Sequence, residues 1–62
     1  MLLVQFTDGK FFSVGFNGPF SQSNKELARV FNSIDEIEKV RVTMERLFGP
    51  FQIVNFSNLL PL

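Results

Sequence analysis

The 62 residues include nine phenylalanines but no histidine, cysteine, tryptophan or tyrosine, so the side chains that usually run acid–base, thiol or soft-metal chemistry near neutral pH are missing. Six basic residues balance six acidic ones, which leaves no cationic excess to hold phosphates and argues against direct binding of DNA or RNA. No apolar run approaches the roughly 20 residues of a membrane span, and Met1-Leu2-Leu3-Val4 lacks the basic flank, apolar core and cleavage site of a secretion signal.

A cytoplasmic binding protein without catalysis, cofactor, metal or membrane contact is the reading left. One domain, residues 1–62, is all that fits. Ordering costs about 1.5 kcal/mol per residue, close to what so small a core returns. With no disulfide or metal to help, oligomerisation is the remaining source of burial.

At the N-terminus, Leu2–Phe6 and Phe11–Phe16 flank Asp8-Gly9, a dipeptide suited to the positive φ angles of a two-residue type I′ hairpin turn. That turn pairs Phe6 with Phe11, Gln5 with Phe12 and Leu3 with Val14. Alternation then places Leu2, Val4, Phe6 and Phe11 on one face, and Leu3, Phe12, Val14 and Phe16 on the other. Both faces are apolar, whereas a half-solvated hairpin keeps one polar. A helix can cover one; the second needs a partner, a loop or the C-terminal segment.

Gly18-Pro19 reads as a strand break leading to a Ser/Asn-rich connector. Ser23 and Glu26 then form a capping box, and Leu27, Val30 and Phe31 make an apolar stripe on a helix of about ten residues. Asn32-Ser33 ends it. The stripe packs on the hairpin, with some members free to face a partner.

Residues 34–47 fit two templates. Ser33 and Glu36 make a second capping box, with Ile37, Val40, Met44, Leu47 and Phe48 at helical spacing. Yet Val40-Arg41-Val42-Thr43-Met44 alternates and is β-branched, as a strand is. Gly49-Pro50 ends whichever element forms, and Phe51–Asn58 reads as a strand with Ile53 opposite Val54. Asn58–Leu62 either packs or meets a partner. Asp35, Glu36 and Glu38 are the one carboxylate cluster; no nucleophile stands near them and their spacing does not suit a metal. They form either a solvated face or an electrostatic match to a phosphate-binding surface.

The order of these features, Asp8-Gly9-Lys10 entering an aromatic strand, a Ser-started helix, then Asp35-Glu36-Ile37 followed by Lys39-Val40-Arg41-Val42, resembles the small uracil-DNA glycosylase inhibitors of protein-primed Bacillus phages. The similarity covers roughly residues 1–47. It implies an α+β fold: an antiparallel sheet of three to four strands with one short helix packed on it, in a homodimer, and it turns residues 36–46 toward a strand. It also implies an inhibitor acting in the host cytoplasm by mimicry of DNA. The enzyme inserts a leucine wedge while flipping a base, and the inhibitor offers that wedge an apolar pocket.

Carried over, Leu27 and Phe31, four apart on the helix, line the pocket. Phe12, Phe16 and Val42 surround it on the sheet, and Asp35, Glu36 and Glu38 stand in for phosphates. Here Leu27 is aliphatic where the family has an aromatic, Ala28 falls where it has an acid, and Phe48–Leu62 lies beyond its pattern. The alternative is a small interaction module that inhibits another host protein, such as a polymerase or nuclease.

Overall fold

Strands at Leu2–Phe6 (β1) and Phe11–Gly15 (β2) form the N-terminal hairpin in a computed structural model that describes residues 1–62. Its turn differs from the expected one. Type I′ needs positive φ at both Asp8 and Gly9, but among these only Gly9 has it, at 88°. The loop is instead Thr7-Asp8-Gly9: Gly9 N–H donates to Phe6 O, Phe6 N–H to Lys10 O, and Lys10 N–H to Asp8 Oδ1. This is a turn closed by a glycine bulge. The extra residue slips the register by one, so Gln5 pairs with Phe11 rather than Phe12. Each β2 side chain therefore changes face relative to β1. Phe12 joins Val4 and Phe6, and Phe11 joins Leu3.

A third strand, Gly18–Gln22 (β3), occupies the start of the expected connector and pairs with β2 over five residues. Pro19 is tolerated because β3 is an edge, where the missing N–H forfeits no ladder bond. Phe51–Asn55 (β4) pairs with β1, giving an antiparallel sheet of order β3-β2-β1-β4.

The helix lies elsewhere than the capping signals at Ser23 suggest. Residues 23–33 contain only one 3₁₀ turn, Lys25–Leu27, capped by Asn24 Oδ1 on Glu26 N–H. The chain's helical residues are Ile34–Glu38 (α1) and Arg41–Phe48 (α2). Thus the strand assigned to 36–46 by resemblance is a helix, and the stripe Leu27, Val30, Phe31 is not helical.

The reason is tertiary. β1 and β2 diverge beyond the Gln5–Phe11 pair, and residues 29–31 enter the gap: Arg29 N–H donates to Phe12 O, while Phe31 and Leu2 exchange both their N–H···O bonds. Extended backbone satisfies both strands there; a helix would leave those groups unpaired. Farther on, Ser33 Oγ caps Glu36 N–H, and α2 stops at Gly49, whose φ of 89° ends the helix before Pro50.

Both sheet faces are covered. Ile37 and Met44 from the helices pack with Val4, Phe6, Phe12 and Phe31, and Phe48 stacks beside Phe6 with centroids 5.2 Å apart. On the reverse face Leu3, Phe11 and Val54 pack under Ala28, Phe56 and Leu59. The connector and the C-terminal segment thus supply the second cover. Pro61 bridges Val54 on the outer edge of β4, with Asn55 N–H to Leu60 O and Leu62 N–H to Ile53 O. No helix is long and apolar enough to cross a membrane.

Candidate functional site

The inserted segment builds a small apolar notch beside β2. Phe12, facing the helices from β2, and Phe31, held between β1 and β2, form its floor, with ring centroids 6.1 Å apart. Both are almost fully buried. Val14, two residues along the same strand face, and Val40, in the turn between α1 and α2, rise on either side. Arg29 and Glu36 complete a concavity of about 220 Å³. Phe48 packs edge-on to Phe12 from below, so the floor cannot fold away without opening the core.

The rim is electrostatically unequal. Glu36 Oε2 accepts Asn32 N–H at 2.7 Å, and its place in the first turn of α1 adds the favourable end of the helix dipole. Arg29 lies over the Phe31 ring with its guanidinium carbon 5.0 Å from the centroid. The ion pairs of the chain are elsewhere: Arg41 with Glu38 at 2.6 Å and with Glu45 at 3.7 Å.

Among the residues expected at a binding pocket, Phe12, Phe31 and Glu36 converge on this notch. Leu27 does not. It is exposed in the 3₁₀ turn, and its carbonyl accepts Ser13 Oγ–H on the opposite face of β2. The four-residue helical spacing with Phe31 that would have joined them does not exist. Phe16 stands fully exposed in the Phe16-Asn17 loop between β2 and β3, in a separate hollow with Gly15 and Phe20. Val42 is exposed on α2, not on a strand. Asp35 is exposed on α1, and Glu38 is held by Arg41.

Arg29, Val14 and Val40 are notch residues that the sequence reading does not assign to the site. Alternation does put Val14 beside Phe12, so its signal is present. Nothing local marks Arg29, because the insertion that places it depends on a gap between distant strands.

Two larger hollows offer less. One, of about 460 Å³, is lined by Gln5, Thr7, Gly9 and Gln52 with Phe6 and Phe51; there Gln5 Nε2–H already donates to Gly9 O and Gln52 Nε2–H to Gln5 Oε1. The other, of about 430 Å³, is the Gly15–Phe20 loop itself. No three acidic side chains stand close enough together to hold a metal ion. Four of the six residues lining the notch are apolar, Phe12, Val14, Phe31 and Val40, a lining that suits a small greasy group. No protein-family model, curated protein or solved structure matches the chain.

Proposed function

We propose that the chain is a non-catalytic binding module that seats an aliphatic side chain of a partner protein in the Phe12–Phe31 notch. The observation that carries this reading is a concavity of about 220 Å³ between the exposed Val14 and Val40, with the buried rings of Phe12 and Phe31 packed at its base. Filling it with one leucine gains about 1.5–3 kcal/mol from burial alone, the scale of a hot-spot contact. Uracil-DNA glycosylase, whose leucine wedge the resemblance supplies as occupant, is the first specific partner, in the role of an enzyme inhibited by a DNA mimic. Convergence of Phe12, Phe31 and Glu36 supports it.

A second reading shares the notch but not the enzyme. The helices at 34–38 and 41–48 and the extended segment at 29–31 exchange the elements that the inhibitor pattern requires, which favours a module acting on another protein, such as a polymerase or nuclease.

A uracil-release assay separates the two. Under the first reading, molar excess of the chain stops release, and Val14→Asp, an exposed rim change, restores it. Undiminished release in the presence of the folded chain removes the glycosylase and leaves the second reading. Self-association belongs to the same proposal, because twelve large apolar side chains are exposed on this small surface. Sedimentation velocity should then show a dimer; a single monomeric species at all concentrations sinks that part.

A further inference from the structure

We propose that the notch selects an aliphatic side chain that carries a carboxylate beside it, with Arg29 as the carboxylate's ligand. This rests on the reading of the notch as a protein-binding site and adds the chemistry of what it binds.

Three cations lie over aromatic rings in this chain. Lys25 Nζ, 4.7 Å from the Phe56 centroid, donates to Phe56 O at 2.7 Å. Arg41, 4.6 Å from the Phe51 centroid, is paired with Glu38 and Glu45. Arg29 alone has a ring beneath it and no acceptor within the chain. Stacking engages the flat face of a guanidinium and leaves its in-plane N–H groups free to donate. Its position is also fixed at the backbone, where its N–H is bonded to Phe12 O at 2.9 Å. A donor fork is therefore held ready at the edge of an apolar notch.

The opposite rim is not paired with it, since the chain's ion pairs are those of Arg41 and none joins Arg29 to Glu36. Glu36 is committed to Asn32 N–H and to the first turn of α1. Glu36 keeps its charge, but the free side-chain N–H donors at the notch belong to Arg29 alone. One guanidinium matches one carboxylate in a forked, two-bond geometry. A doubly charged phosphate would meet Glu36 at the far rim with no second cation to balance it. The occupant is thus a protein segment with an aliphatic side chain and an adjacent acidic group.

The test is an NMR titration of the 15N-labelled chain with three small probes. N-acetyl-leucine carries both groups, N-acetyl-leucinamide only the aliphatic one, and N-acetylglycine only the carboxylate. Saturable shifts at the amides of Val14, Arg29 and Phe31 are expected with N-acetyl-leucine. Binding of the amide should be about three- to fivefold weaker, as for one exposed charge pair. N-acetylglycine should leave these amides in place.

Arg29→Gln keeps the backbone bond to Phe12 and should make acid and amide bind equally. Equal affinity of acid and amide for the unaltered chain overturns the role of Arg29 but leaves the notch as an aliphatic site. Absence of notch shifts with either leucine probe overturns both.

Discussion

Ser13 is the one polar residue in the core, and its hydroxyl is fully used. Oγ–H donates to Leu27 O at 3.0 Å while the same oxygen accepts Gln22 Nε2–H at 2.7 Å. It ties the connector to β2 on the face away from the helices. Ser13→Ala strands a carbonyl and an amide at once, so a loss of about 1–3 kcal/mol is expected in urea unfolding. A change within error would show that water reaches both groups. Gly9 acts through backbone alone. Its φ of 88° costs an alanine about 1–2 kcal/mol, and nothing lies near enough to clash with the added carbon. Gly9→Ala should therefore lower the urea midpoint without altering notch binding; loss of binding with unchanged stability would contradict this.

Secondary structure was legible where local chemistry decides it and illegible where distant strands do. Gly49-Pro50 ends α2, Ser33 caps α1, and alternation puts Ile53 and Val54 on opposite sides of β4. The hairpin was readable too, but not its register, because Asp-Gly serves both a two-residue turn and a three-residue loop with a bulge. Ser23 and Glu26 look like a cap, yet the strands on either side claim Arg29 and Phe31. That claim cannot be seen in a window of ten residues. It was also the source of the misplaced pocket, since Leu27 and Phe31 share a side only on a helix.

Hydrogen exchange checks the insertion directly. The amides of Leu2, Arg29 and Phe31 should exchange only through global unfolding, whereas Ser21 on the open β3 edge should exchange through local opening. Fast exchange at Arg29 and Phe31 would mean that the segment does not hold the strands.

At the scale of the whole molecule, an accessible surface of 4114 Å² is close to the roughly 4,100 Å² of an ordinary compact chain of this mass. The exposed apolar groups therefore reflect composition, not an open shape. Only ten of 62 residues are buried, so every cover over the sheet matters. Removing Leu59–Leu62 would strip the packing of Leu59 and the bonds joining Leu60 and Leu62 to β4. A loss of about 3 kcal/mol is expected, with association through the bared edge of β4 visible in light scattering. An unchanged urea midpoint would assign the reverse face to some other cover.

Residues 29–31 are the keystone between two ribbons, β1 with β4 and β2 with β3, and the same short strip supplies half of the notch floor and its cation. A guest seated there grips the stone that locks the arch. Occupancy and cohesion are thus linked: a saturating guest must raise the melting temperature of the entire chain in a single step, by mass action on the folded form. Loosening the joint weakens the guest to the extent that it depopulates the closed arrangement.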